Sequence, residues 1–544
     1  MSATIDNVHV VDLDTHVTDD AQKATASEHS MTLKQGLKTY PKAVGWSILL
    51  STCIVMEGFD LVLISSLFGL PAFQRKFGVQ LENGTYQVTA AWQTGLSNGA
   101  LVGEILGLFV AGLIADRFGF KKTMILALSM LTCFIFIVFF AQSLPMLLAG
   151  EILCGLPWGV FQTLTTTYAA EVCPTALRAY LTTYVNLCWV FGQFLSSGVL
   201  KGVSGRTDAL AYKLPFALQW IWPVPLIIGI ALAPESPWWL VRKGRNEEAK
   251  AVLGRLTSKT ENFNADETIA MMIHTNEFEK SQSEGTAYLD CLKGSDLRRT
   301  EIVCVVWAIQ TLCGSTFMGY STYFYQQAGL DVSNSFSLSL AQYALGAIGT
   351  ISSWFLMMKF GRRTLYLSGQ VAMFCLLLIT GFCAIAPRDN TSAQWAIGSM
   401  LLAYTFTYDA TVGPVCYSLV AELSSTRLRQ KTVVLARNVY NITGIATNIL
   451  TPRMLNPTAW NWGAKSAFFW AGMCALCWVW TFFRLPEPKG RTYAELDMLF
   501  GMKVSARKFS GTTVDPFATT IPHDDMDEKK AATYQIEQVT SNMS

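Results

Sequence analysis

The chain has 544 residues, 51% of them hydrophobic and only 15% charged, with a net charge of +2 and a mean hydropathy of +0.32. So apolar a composition excludes a soluble multidomain protein, and the near-neutral charge offers nothing to nucleic acid. The apolar residues gather in blocks of about 20, the length that crosses a bilayer, so an all-α, multi-pass membrane protein is expected.

Residues 1–43 are polar, with no short apolar region and no small-residue cleavage pattern, and read as a disordered tail without a removable signal. Six apolar segments follow: α1 at 44–70, α2 at 91–115, α3 at 123–141, α4 at 147–170, α5 at 180–202 and α6 at 216–233. The charged stretch 235–299 carries helical runs such as Asn246-Glu-Glu-Ala-Lys-Ala-Val-Leu and reads as a small helical linker. Six more segments come after it: α7 at 301–328, α8 at 337–358, α9 at 365–386, α10 at 395–420, α11 at 432–455 and α12 at 465–484. The expected plan is therefore two six-helix bundles, 44–234 and 300–485, joined by the linker and followed by a polar tail over 486–544.

Basic clusters set the orientation. Arg117, Lys121 and Lys122 follow α2, Arg242, Lys243 and Arg245 follow α6, Arg362 and Arg363 follow α8, and Arg427, Arg429 and Lys431 follow α10. All fall on one side, which the positive-inside rule makes the cytosol and which also holds both termini. The glycosylation sequons at Asn83 and Asn390 then lie outside, while that at Asn441 lies within α11.

The two halves repeat each other. Glu171 with Arg178 after α4 is matched by Glu422 with Arg429 after α10, Pro234-Glu235 by Pro486-Glu487, and Asp116-Arg117-Phe-Gly119 by Lys359-Phe-Gly361-Arg362. Three motifs in one order in both halves mean an internal duplication.

All five histidines lie in the tails or the linker, so none can relay protons inside the membrane. The thirteen cysteines are scattered; Cys474 and Cys477 have a metal-like spacing but no partner pair, and read as packing. No phosphate loop or nucleophile elbow is present, so neither an enzyme nor a cofactor or metal is expected. What remains is charge inside the membrane, where ionisable groups are costly and usually functional. Glu57 and Asp60, three apart on α1, share a helical face; α2 adds Glu104, α4 Glu151, α10 Asp409 and α11 the cation Arg437. On α2, Gly95, Gly99, Gly103 and Gly107 form a small-residue packing stripe that turns Glu104 toward α1.

The duplicated junctions, Pro-Glu-Ser-Pro-Trp-Trp-Leu at 234–240 and Pro-Glu-Pro-Lys-Gly-Arg-Thr at 486–492 resemble the sugar porter family of the major facilitator superfamily. Cys154-Gly-Leu-Pro-Trp-Gly-Val-Phe-Gln162, the stretch from Leu312 to Phe324 and Ala436-Arg-Asn-Val-Tyr-Asn-Ile442 resemble, within it, the fungal maltose permeases, which are α-glucoside:proton symporters. The resemblance implies two six-helix bundles that rock around a central cavity. It implies a cytosolic gate of salt bridges among Asp116, Arg117, Glu171, Arg178, Glu422, Arg429 and Arg491, with the second copy of the loop degraded at Met358 and Lys359.

For the sugar, the resemblance points to Gln193 and Gln310. Ile309, Ser315 and Val412 stand where the wider family has a glutamine, an asparagine and a tryptophan, which enlarges the cavity toward a disaccharide, with Tyr440, Asn441 and Tyr320 as added contacts. For the proton, the wider family pairs the aspartate at Asp60 with an arginine where this chain has Glu151. The maltose permease pattern instead gives Glu57, Asp60 and Glu104 as one proton site with Arg437 as its cation. The implied protein is a monomer in the plasma membrane with disaccharide and protons as its partners. A passive facilitator would not need four buried ionisable groups, and a sugar sensor would be expected to carry a longer tail.

Overall fold

A computed structural model describes residues 20–514, apart from 22, 25, 26, 29, 83, 259–262, 284–287, 388, 389, 425–427, 492 and 513. Twelve long helical segments run across the bundle among the described residues, and their edges differ from the sequence expectation by up to several residues. They are α1 (Pro41–Leu67), α2 (Ala90–Phe118), α3 (Phe120–Phe139), α4 (Leu144–Val172), α5 (Thr175–Val203) and α6 (Leu210–Leu232) in the first half. The second half holds α7 (Gly294–Gly319, continued by Ser321–Gln327), α8 (Val332–Lys359), α9 (Arg362–Cys383), α10 (Thr391–Ala410 and Val412–Leu423), α11 (Arg429–Leu455) and α12 (Gly463–Arg484).

Nine of these are long and apolar enough to cross a membrane by length and composition; α5, α10 and α11 are not among them. Those three carry buried polar residues such as Asn186, Gln193, Asp409, Arg437 and Asn441, and α10 is interrupted. Pro414 lacks an N–H and crowds the carbonyl four residues back, at Ala410, so the helix breaks at Thr411 (φ −130°, ψ −83°). In α7 the break comes at Gly314, whose φ of 99° suits a residue without a Cβ, inside a π-helical turn over Thr311–Ser315.

The duplication is visible as a packing plan. α2 packs on α4 as α8 packs on α10, α1 on α5 as α7 on α11, and α3 on α6 as α9 on α12. The halves meet along α5 with α8 and α2 with α11. The glycine stripe of α2 faces α4: a Cβ on Gly103 would strike the Ile152 carbonyl, and one on Gly107 the Leu156 carbonyl. Large apolar side chains such as Leu113, Phe136, Leu232, Phe355, Phe382 and Leu476 stay exposed on the outer helices, where acyl chains would cover them.

At one end of the bundle, helices Pro237–Arg242, Asn246–Leu256 and Ala265–Ser283 form the linker and dock on the first half beside α1 and α4. At the opposite end, β1 (Val79–Gln80) and β2 (Tyr86–Gln87) pair antiparallel between α1 and α2, with Val79 opposite Gln87.

Order reaches further than the sequence suggests at both tails. Helix Leu33–Thr39 is closed by a Thr32/Gln35 capping box and sets Gly36 against Leu177 of α5, so residues 33–43 are not disordered tail. Toward the C-terminus, helices Tyr493–Gly501 and Ala506–Gly511 bury Leu496, Leu499, Phe500 and Phe509. Arg299 at the start of α7 pairs with Asp497 and stacks 4.8 Å over Phe500. Apolar residues spaced three and four apart make these segments amphipathic helices despite their polar surroundings.

Candidate functional site

Arg437 of α11 reaches across from the second half into the acids of the first. Its guanidinium lies 3.0 Å from Glu104 Oε1 on α2 and 3.7 Å from Glu57 Oε1 on α1. The Gln162 amide of α4 donates to both Glu57 oxygens at 2.8 Å. Two rings hold the cation from its own half: Tyr440 with its centroid 4.4 Å away and Trp307 at 5.1 Å. Glu57 and Glu104 are 0% and 1% exposed, so these charges have no water to fall back on and depend on one another.

Asp60 does not join this cluster. The sequence reading places Glu57, Asp60 and Glu104 in one site, but three residues of helix turn Asp60 to the far side of the face, toward α4 and α6. There it accepts from the Gln219 amide, while its Oδ2 and both Glu151 oxygens are buried with no hydrogen-bond partner among the described residues. Glu151 is 1% exposed and does not snorkel to a surface. Asp409, also buried, faces Gly346 and Gly349 of α8.

The residues expected to meet sugar are spread over the interface of the halves. Gln310 accepts from the Tyr408 hydroxyl at 3.0 Å and donates to the Gly413 carbonyl at 3.3 Å, while the Ser315 hydroxyl returns to the Gln310 carbonyl. Gln193 is buried on α5, beside the point where Gly192 closes on Val55 of α1. Tyr440 packs edge-on to Trp307 at 5.4 Å. Asn441 is wholly buried, and neither end of its amide has a hydrogen-bond partner among the described residues. Val412 is fully buried just past the α10 break. Tyr320 instead ties the halves together, its hydroxyl donating to Ser97 of the other half at 2.6 Å.

That bond is one of several that seal the end opposite the linker. Ser65 donates to the Gly319 carbonyl at 2.5 Å, Gln326 to that of Gly69 at 2.8 Å and Asn456 to that of Val88 at 2.9 Å. Asn390 caps α10 at this end, and Asn83 lies outside the described residues.

At the linker end the members of the expected gate do not form one network among the described residues. Glu171 pairs with Arg242 at 2.8 Å and accepts from Ser236, whereas Glu422 pairs with Arg362 at 3.0 Å. Each bridge stays within its own half. Asp116 and Arg117 are exposed and make no ion pair among the described residues; the Asp116 carbonyl accepts from Trp239 at 3.1 Å. Arg491 binds the Phe509 and Thr512 carbonyls and sits 3.8 Å from Glu495, fixing the C-terminal helices rather than a gate. The Arg178 side chain makes no ion pair among the described residues, and that of Arg429 lies outside them. With the halves bonded at the opposite end, the described bridges of Glu171 and Glu422 stay inside each half.

The duplicated Pro-Glu motif has the same job twice. Glu235 accepts from the N–H groups of Phe120 and Lys121 at the start of α3, at 3.0 and 3.3 Å. Glu487 accepts from those of Arg362 and Arg363 at the start of α9, at 2.9 and 3.0 Å. Burial raises the Glu235 carboxyl above its ordinary range, against the pull of these donors. Where the second loop lacks its acid, Lys489 binds the Met358 and Phe360 carbonyls.

Sequence reasoning missed Gln162, Gln219 and Trp307. Gln162 ends the Cys154–Gln162 motif of α4 and Gln219 stands near the start of α6, but a neutral amide in an apolar helix signals nothing until its partner is known.

Known proteins place this arrangement. The chain is 46% identical over 520 residues to the General alpha-glucoside permease of Saccharomyces cerevisiae, covering 94% of this chain and 84% of that protein. It is 45% identical over 520 residues to the Maltose permease MAL61 of Saccharomyces cerevisiae, with the same coverage. Among solved structures, the proton:xylose symporter XylE bound to 6-bromo-6-deoxy-D-glucose aligns with a TM-score of 0.69 at 20% identity, over 85% of this chain and 99% of that one. The partially occluded inward-open form of XylE from E. coli aligns with a TM-score of 0.67 at 18% identity, over 83% of this chain and 100% of that one. These structures establish the major facilitator fold. The family described as Sugar (and other) transporter matches residues 46–500, and the chain, a multi-pass membrane transporter and not an enzyme, belongs to it.

Proposed function

We propose that the chain carries α-glucosides such as maltose into the cell together with protons, by rocking its two halves about the centre of the membrane. The observation that carries this reading is the insertion of Arg437 from one half between Glu57 and Glu104 of the other. Such a contact must be broken or remade as the halves move, and its electrostatics then differ between the two states, as coupling requires. A passive carrier gains nothing from buried charge that costs several kcal/mol per ion to desolvate. The names of the similar yeast permeases support the substrate class.

In this reading Gln193, Gln310, Ser315 and Asn441 supply hydrogen bonds to hydroxyls, and Tyr440 offers a ring face to the sugar. Val412 leaves room for a second glucose unit. The linker and both termini face the cytosol of a plasma-membrane protein that acts as a monomer, and Asn83 and Asn390 face outside. Glu171 with Arg242, and Glu422 with Arg362, re-pair across the halves when the linker end closes.

The test is uptake of labelled maltose by cells expressing the chain, with and without a proton uncoupler. Accumulation that collapses with the uncoupler supports the reading; accumulation insensitive to it removes the proton, and no maltose uptake removes the substrate. An impermeant thiol reagent should label a cysteine introduced beside Asn83 but not one beside His274 in intact cells, and the reverse pattern inverts the topology.

A further inference from the structure

We propose that an anionic phospholipid of the leaflet on the linker side docks in a groove between α1, α6 and the linker, its phosphate between Lys42 and Arg255 and an acyl chain along Gly45 and Leu49. This lipid site lies apart from the transport path and is independent of what is transported.

Lys42, Gly45, Trp46 and Leu49 stand at positions i, i+3, i+4 and i+7 of α1, which share one helical face. That face opens on a groove of about 590 Å³, bounded on its other side by Arg255 of the linker helix Asn246–Leu256. A Cβ on Gly45 would meet nothing within 4 Å, so the missing side chain is part of the hollow. Leu49 packs against Gly229 of α6, where a Cβ would come within 2.7 Å of it. Beside that contact Ile228 and Leu232 of α6 are exposed, and the groove opens onto a lipid-facing apolar surface.

Fixed contacts hold the groove in shape. Arg255 donates to the Leu232 carbonyl at the end of α6, at 2.9 Å. Three residues on, the Ser258 N–H donates to the Thr39 carbonyl at 2.8 Å and its hydroxyl to the Lys38 carbonyl at 2.6 Å. The linker is thereby pinned both to α6 and to the chain that enters α1.

Charge points to the occupant. Among the described residues Arg242, Arg245 and Lys250 pair with Glu171, Glu248 and Asp266, whereas the exposed Lys42 and Arg255 form no ion pair. A phosphodiester supplies the missing negative charge, and a guanidinium has further N–H donors beyond the one given to Leu232. Trp46, half-buried between the cations and the apolar wall, is the residue type that settles at the headgroup level of a bilayer. A peptide strand would bring N–H and C=O groups for which this groove has few partners, and a free phosphate ester would leave the apolar wall uncovered. A phospholipid satisfies both parts.

The test is native mass spectrometry of the purified full chain in detergent, titrated with dioleoylphosphatidylserine, dioleoylphosphatidylcholine or glycerophosphoserine and read at the first bound molecule. Phosphatidylserine should bind at least about fivefold tighter than phosphatidylcholine, and K42A and R255A should each lose about fivefold in phosphatidylserine affinity. G45F fills the hollow while keeping both cations, and should lose as much or more; should it fail to fold, G45L carries this arm. Without lipid, K42A and R255A should melt at the native temperature. Equal affinity for the two lipids, or native phosphatidylserine affinity in both cation variants or in the filled groove, overturns the site. Glycerophosphoserine binding as tightly as the whole lipid makes this a seat for free phosphate esters and overturns the lipid. Weak phosphatidylserine binding by the full chain that becomes strong once residues 515–544 are removed makes the acidic tail the occupant, and overturns the lipid as well.

Discussion

In the first half, four carboxyls sit inside the spans, Glu57, Asp60, Glu104 and Glu151; in the second, the helices at the same contacts carry Arg437 and Asp409. The packing plan was kept through the duplication, with α2 on α4 repeated as α8 on α10, while the charge plan was not. Packing depends on shape, which many apolar residues can satisfy, so it survives divergence. A buried charge depends on one partner at one distance. With Glu57 and Glu104 in one half and Arg437 in the other, neither half satisfies these charges alone, and the boundary between them is the place where electrostatics and movement meet.

The largest effect should come from removing the cation. Arg437→Leu leaves Glu57 and Glu104 buried without it, a loss of about 3–5 kcal/mol for a broken buried pair. The thermal stability of the purified protein should fall further than for any of the glycine substitutions below, and maltose uptake with it. Combining it with E104Q should restore part of the stability, with a coupling of about 1 kcal/mol or more in a double-mutant cycle. Additive losses would show that the two halves are not tied through this contact.

A second comparison concerns the glycines of equivalent helices. A Cβ on Gly103 of α2 would collide with the backbone of α4, which cannot move alone, whereas one on Gly346 of α8 would meet the carboxylate tip of Asp409 at 2.6 Å. Gly103→Ala should therefore cost about 1–3 kcal/mol, in the range of overpacked cores, and Gly346→Ala clearly less. Gly112→Ala, with open space around it, serves as the reference. Equal melting temperatures and equal yields of monodisperse protein for Gly103→Ala and Gly112→Ala would mean that α2 and α4 are not locked by their stripe.

How much of this was legible follows the same division. The twelve segments, the duplicated motifs and the reach of Arg437 toward Glu57 and Glu104 could be read because each leaves a local mark: an apolar run, a repeated motif, a rare charge in a span. The partner of Asp60 left no such mark. Residues three apart on α1 lie about 60° apart around the axis, and that angle decides between α2 with α11 on one side and α4 with α6 on the other. Helix rotation is set by neighbours far away in sequence. The α10 break was written in Pro414, yet a proline inside an apolar run can kink a helix or end it, and packing chooses. The helices at both tails were hidden by their polar faces. The gate was expected as one network because the family resemblance implies it, but a resemblance says nothing of which state the bridges belong to.

The smallest effect sharpens the comparison at the repeated loop. Gly119 and Gly361 occupy the same place in the two copies, and each faces the carboxylate that caps the next helix, Glu235 or Glu487. Their backbones differ: Gly119 has φ 90° and ψ 167°, whereas Gly361 has φ −70° and ψ 153°, which any residue adopts. Alanine at 361 has only to push a carboxylate aside and weaken its two bonds. At 119 it must do the same and also hold a positive φ, at an added cost of about 1–2 kcal/mol. Gly119→Ala should thus lower the melting temperature more than Gly361→Ala, and the gap should persist when the carboxylates are removed by E235Q and E487Q, because backbone strain does not depend on them. A gap that vanishes in those backgrounds would place the whole difference in the carboxylate contacts, and the two loops would then be equivalent in energy despite their different backbones.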